Sequence, residues 1–112
     1  MTKITFYTEN GVYRGFSAEG HAGFKKKGED IVCAAISVLI TNTVNALETI
    51  TCEDIEVGKD DGYLVMNLKS FNNPASQVLM KTLALGVEGI QKEYGKKYCT
   101  VVYKEENANV KA

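Results

Sequence analysis

The chain has one proline, one histidine and no tryptophan among its 112 residues. Any chemistry that needs an imidazole therefore rests on His21. Cysteines number three, Cys33, Cys52 and Cys99, and no pair has Cys-x-x-Cys spacing. An odd, scattered set does not make a disulfide framework. The single histidine and three cysteines would reach the four ligands of a structural zinc site only by a spacing the chain does not show. No metal and no other cofactor is expected. A basic surplus is also missing, since the net charge is −1. That argues against a nucleic-acid binder that works by neutralising phosphates. No uninterrupted apolar run reaches the ~18 residues of a membrane span. The stretch Met1 to Tyr7 lacks the apolar core of a secretory signal. The sequence reads as cytoplasmic, without a membrane partner, and free thiols suit a reducing compartment.

What is present is a chain of ordinary globular composition, 45% hydrophobic and 24% charged. Its length suits one domain that buries roughly two-thirds of the surface exposed by the unfolded chain. Residues 1–104 are read as that single domain, and residues 105–112 as a polar, disordered tail.

Hydrophobic periodicity gives the order of elements. Lys3 to Thr8 alternates with Ile4 and Phe6 on one face. Val12 to Glu19 alternates with Val12, Phe16 and Ala18 on one face. Asn10-Gly11 between them is a strong hairpin signal, because both residues tolerate positive φ. A helix is predicted from about Asp30 to Thr51. Val32, Ile36, Leu39, Ile40, Thr43, Leu47 and Ile50 form its stripe, and Ile31, Ala34, Ala35 and Val38 widen it. Such a helix is expected to be central and buried. A second hairpin follows, Asp54 to Gly58 and Tyr63 to Leu68, turning at Asp60-Asp61-Gly62. Asn73-Pro74 opens a second helix that stops at Gly95. Gly86 and Gly89 inside it are expected to permit close packing. A last strand spans Tyr98 to Lys104. The order ββαββαβ predicts an α+β fold, a mostly antiparallel sheet with two helices packed on one face.

The chemistry concentrates in Gly20 to Ser37. His21 follows the second strand, and Cys33 is placed in the first turn of the first helix. Free N–H groups and the dipole at a helix start stabilise a thiolate and can donate to an oxyanion. A cysteine and a histidine are the minimum for thiol acyl transfer, with histidine as base and then acid. Against this stands the commoner role of a lone helical cysteine as a small core residue. Cys52 and Cys99 read as structural.

Gly20-His21-Ala22, followed by Asp30-Ile31-Val32-Cys33-Ala34 and Ser37, resembles the ribosomal-processing cysteine protease (Prp) family. The hallmark of that family is a Gly-His-Ala segment, a short variable loop, and Asp-x-x-Cys-Ala opening a helix. Length and element order resemble the family over essentially the whole chain. The resemblance implies a metal-independent, homodimeric endopeptidase with Cys33 and His21 as its catalytic pair. It also implies the substrate, the precursor of bacterial large-subunit ribosomal protein twenty-seven. The protease would remove an N-terminal extension from that precursor by cutting after aromatic residues.

Further residues support either of two roles each. Asp30 orients His21 or only caps the helix. Ser37, one turn beyond Cys33, hydrogen-bonds at the site or back-bonds to its own helix. Gly20 allows close backbone approach or merely turns the chain. Lys25, Lys26 and Lys27 form a solvated loop. Alternatively, with Phe24 and the bracketing Gly23 and Gly28, they form a mobile lid that meets substrate. Two rival functions remain, a non-catalytic ribosome-associated binding or assembly module and a thiol redox protein. The second needs a resolving thiol, and Cys52 lies roughly 28 Å along a continuous helix from Cys33.

Overall fold

The computed structural model describes residues 2–20 and 27–106, with only the backbone described for residues 27–30. The elements are β1 (Thr2–Glu9), β2 (Val12–Gly20), α1 (Lys27–Thr49), β3 (Ile55–Asp60), β4 (Tyr63–Leu68), α2 (Pro74–Tyr94) and β5 (Cys99–Glu105). The order is ββαββαβ, as the periodicity predicts.

Five strands form one sheet in the order β3-β4-β2-β1-β5. β1 pairs antiparallel with β2 and parallel with β5, while β2–β4 and β3–β4 are antiparallel. The first hairpin turns at Asn10 and Gly11, with φ of 52° and 82°. Two successive positive φ values match the right-handed twist of the strands they join.

Alternation along β2 is broken in a way the sequence pattern hides. Tyr7 pairs with Gly15 but Thr8 pairs with Tyr13, so Arg14 is an extra, bulged residue. A bulge shifts the side-chain phase by one. Tyr13 rather than Val12 thus joins Phe16 on the core face. Its ring meets Phe6 edge-on at 5.7 Å, and Val12 is exposed.

Both helices cover the same face of the sheet. Ile4, Phe6, Phe16, Met66 and Leu68 of the strands share one core with Val32, Ile36, Ile40 and Leu47 of α1 and Met80, Leu83, Ala84 and Val87 of α2. Fully burying each of the two phenylalanines contributes about 1.5–3 kcal/mol. The exposed Lys69–Asp54 ion pair adds about 0–1 kcal/mol at most. Apolar packing therefore decides the fold.

α1 is not central, as its girth of apolar residues suggested. Ile31 is 56% exposed and Val38 66%. A two-layer domain has no third layer to cover the far side of a helix. Ile50 lies past the helix end and is exposed. By length and mean hydropathy Ile31–Thr49 also passes for a membrane span. A helix that covers a sheet passes the same test, and Val32, Ile36, Ile40 and Leu47 of this one are core residues.

α2 begins and ends where its caps dictate. The Asn73 side chain accepts the Ala75 N–H at 2.9 Å, Pro74 is the first helical residue, and the Gly95 N–H bonds Gln91 O at 2.8 Å. Of its two internal glycines only one serves packing. A Cβ on Gly86 would lie 3.0 Å from Leu39 Cδ1 of α1, whereas one on Gly89 would meet nothing within 4 Å. At the C-terminal end β5 continues through Glu105, whose carboxylate accepts the Asn10 N–H at 2.6 Å. Glu106 pairs with Arg14 at 3.1 Å. Residues 107–112 of the segment read as a tail lie outside the described residues.

Candidate active site

The site is built where β1, an interior strand between β2 and β5, begins. Thr2 is paired on one side with Gly20 of β2 and on the other with Cys99 of β5. Its N–H bonds Tyr98 O at 3.0 Å. Strand alternation turns Thr2 to the same face as Ile4 and Phe6, the face that α1 covers. There its hydroxyl Oγ1 lies 3.9 Å from Cys33 Sγ. The cysteine thiol is half-buried and unpaired in any disulfide.

A second set of contacts fixes the neighbouring strand end. Gly20 N–H donates to Gly62 O at 3.0 Å, which pins the last residue of β2 to the tip of the β3–β4 hairpin. Gly20 immediately precedes His21 in the sequence. The fold therefore brings Cys33 against Thr2, and Thr2 beside the strand residue that leads into His21.

The start of α1 corrects an expectation. The helix begins at Lys27, not near Asp30, so Cys33 is its seventh residue and lies beyond the first turn. Lysine and glutamate are good helix formers, and one glycine among them costs only about 1 kcal/mol, so Lys27, Gly28 and Glu29 extend the helix backwards. The field of a helix terminus falls off within its first turn. It reaches Cys33 weakened. Asp30, inside the helix, is not its cap. The loop expected to run through Glu29 is shorter, since Lys27 and Gly28 belong to α1. Gly23, Phe24, Lys25 and Lys26, with His21 and the side chains of Lys27 and Asp30, lie outside the described residues, and so does the expected lid.

Ser37 is exposed, and with Val38, Thr41, Asn42 and Asn45 it lines an open surface cleft of ≈ 360 Å³. The cleft starts one helical turn beyond Cys33 and follows α1 away from it. Thr2 went unremarked in the sequence. It is 31 residues from Cys33, and only its tertiary neighbour marks it out.

The other thiols differ in kind. Cys52 is exposed beyond the far end of α1, which runs unbroken from Cys33 to Thr49. Cys99 is fully buried, and burial pushes its thiol pKa up. A buried thiol that resists ionisation is a poor attacking partner. Cys33 is thus a half-buried free thiol at the end of the sheet, with Cys52 exposed at the far end of α1 and Cys99 sunk in the core.

Comparison with known proteins agrees. The chain matches the family Cysteine protease Prp over residues 1–99. It belongs to that family and is a cysteine protease. The ribosomal processing cysteine protease Prp of Staphylococcus aureus is 32% identical over 78 residues, 68% of this chain and 74% of the relative. The Bacillus subtilis protein of the same name is 27% identical over 85 residues, 70% of this chain and 76% of the relative. Among solved structures, a Streptococcus mutans protein superposes with a TM-score of 0.86 at 28% identity, covering 95% of this chain and 99% of that one. The Staphylococcus aureus protease with a covalently linked product peptide gives 0.84 at 27% identity, covering 93% of this chain and 100% of that one.

Proposed function

We propose that the protein is a cytoplasmic ribosomal-processing endopeptidase with a Cys33–His21 dyad. Its substrate would be the precursor of large-subunit ribosomal protein twenty-seven, cut after the aromatic residues that end its N-terminal extension. The observation that carries the reading is the seating of the half-buried Cys33 thiol against Thr2, the strand partner of the residue before His21. Two segments separated by a loop in sequence meet in space at the one thiol that is neither remote nor sunk in the core. The work falls to a single domain spanning β1 to β5.

In this mechanism His21 takes the Cys33 proton, and the thiolate attacks the carbonyl carbon of the scissile bond. Collapse of the tetrahedral intermediate breaks the C–N bond, and His21 returns the proton to the leaving amine. The thioester left on Cys33 is hydrolysed by water, with His21 again as base. A covalent product peptide, as described for the Staphylococcus aureus relative, is what such acyl transfer produces. The cleft along Ser37, Thr41 and Asn45 offers room for the peptide on the accessible side of α1. The outer face of α2 leaves Val78 and Leu85 exposed one above the other, and this apolar surface fits a second copy of the chain.

The test is to incubate the purified protein with the full-length ribosomal protein precursor and weigh the products. Release of the extension by the wild type and not by Cys33→Ala is the expected result. An intact precursor, with the protein active on other peptides, would overturn the substrate. Sedimentation at micromolar concentration reads the oligomeric state, a dimer in wild type and a monomer in Leu85→Glu.

A further inference from the structure

We infer that Thr2 is a positioning residue for the nucleophile, its hydroxyl holding the Cys33 sulfur and donating to it once the thiol is ionised. The inference rests on Cys33 being the nucleophile, and it addresses what stabilises that sulfur when the helix terminus lies too far back. Three observations carry it. Thr2 Oγ1 stands 3.9 Å from Cys33 Sγ, within the reach of a hydrogen bond to sulfur. Thr2 is only 9% exposed, so water competes little for the hydroxyl. Its backbone is locked between two strands and by the Tyr98 carbonyl, so the hydroxyl is carried on a rigid element.

A threonine also suits the task chemically. Its branched Cβ restricts χ1, so the hydroxyl loses little freedom when it points at sulfur. A neutral thiol is a weak donor and weak acceptor, while a thiolate accepts strongly. The same contact therefore strengthens as the proton leaves, which favours the reactive form. During acyl transfer the sulfur becomes a thioester and loses its charge, and the hydroxyl's hold on it relaxes. Thr2 forms no bond to substrate in this scheme. It acts through Cys33.

The test compares Thr2→Val and Thr2→Ala, which lack the hydroxyl, with Thr2→Ser, which keeps it. The first readout is the rate of Cys33 alkylation by iodoacetamide at pH 7, divided by the rate at pH 10. The ratio reports how much of the thiol is ionised at neutral pH, which a packing defect alone does not move. In Thr2→Val and Thr2→Ala it should fall roughly three- to tenfold, the scale of one ordinary net hydrogen bond, as suits a long contact to sulfur. In Thr2→Ser it should stay near the wild-type value. The second readout is peptide cleavage, where kcat should fall with the ratio and KM stay unchanged. An unchanged ratio in both hydroxyl-free variants overturns the inference. So does a fall in Thr2→Ser equal to that in Thr2→Ala, which would mean that the methyl group matters instead. Cleavage by Cys33→Ala would remove the nucleophile reading itself, and this inference with it. A silent Cys33→Ala beside an unchanged ratio in Thr2→Val would remove only the role of Thr2.

Discussion

Gly62 and Gly20 meet backbone to backbone. The carbonyl of Gly62 accepts the Gly20 N–H at 3.0 Å, and a Cβ on Gly62 would stand 2.6 Å from the Gly20 oxygen. Gly62 also has a φ of +71°, where a side chain is strained. The tip of the second hairpin thereby fixes the end of β2, the strand that precedes His21 in the sequence.

Gly62→Ala should accordingly cost both stability and activity. Left-handed backbone costs alanine roughly 1–2 kcal/mol, and the clash with the Gly20 oxygen adds to it. Each kcal/mol lowers Tm by about 4–8 °C in a domain near this size. Gly11→Ala is the matched control. Gly11 has a φ of +82°, but a Cβ there meets nothing within 4 Å, and the first hairpin's turn is at the other end of β2. Both variants should melt earlier, and only Gly62→Ala should lose kcat/KM at a temperature where both are folded. Equal activity in the two would show that the hairpin tip does not set the site.

Cys33→Ala should abolish peptide cleavage and leave the fold intact, because alanine is the best helix former and the side chain it replaces is only half-buried. Cys33→Ser should also be nearly inactive, since a hydroxyl is a far weaker acid than a thiol. Circular dichroism and a melting curve confirm folding, and a fluorogenic peptide reads turnover. Retained turnover in purified Cys33→Ala would end the thiol mechanism.

Much of this was legible in the chain, and the parts that were not share a cause. The caps of α2, the Asn10-Gly11 turn and the element order follow from local rules, so periodicity and turn chemistry found them. The Arg14 bulge was missed because it depends on the register with β1, and the unbroken alternation of Val12, Phe16 and Ala18 concealed it. The start of α1 was missed because Asp30 looks like a cap, whereas Lys27 and Glu29 carry the helix past it. At the site, Cys33 and His21 were marked by residue type and motif. Thr2 was not, since its importance arises from strand pairing that no local pattern encodes.

His21→Ala should lower the chemical step by two to four orders of magnitude, the range general acid–base catalysis supplies. Peptide binding should survive, because the imidazole is asked to move a proton and not to hold the chain. Single-turnover rates and KM separate the two effects. A near-normal rate would require another base, and the sequence contains no second histidine.

The three thiols should label in order. Limiting iodoacetamide at neutral pH is expected to modify Cys33 first, exposed Cys52 next and Cys99 last. Reaction requires the thiolate and access. Cys99 has neither, being fully buried with its pKa raised by that burial. Mass spectrometry of a digest reads the order. Cys52 labelling ahead of Cys33 would mean that access alone governs these thiols and that Cys33 is not activated.

Substrate choice gives the last prediction. Two fluorogenic peptides should be compared that differ only in the two residues before the cut, aromatic in one and alanine in the other. Fully burying a phenylalanine contributes about 1.5–3 kcal/mol. Two such side chains, held in the transition state, can therefore account for selectivity of several hundredfold. The cleft on α1 starts one helical turn beyond Cys33, and exposed Val38 offers apolar surface in it. The aromatic peptide should show the higher kcat/KM, with Val38→Asp reducing it and sparing the alanine peptide. Comparable kcat/KM for the two wild-type reactions would refute an aromatic requirement. A Val38→Asp variant that keeps full preference would leave the requirement in place and move the pocket off this face of the helix.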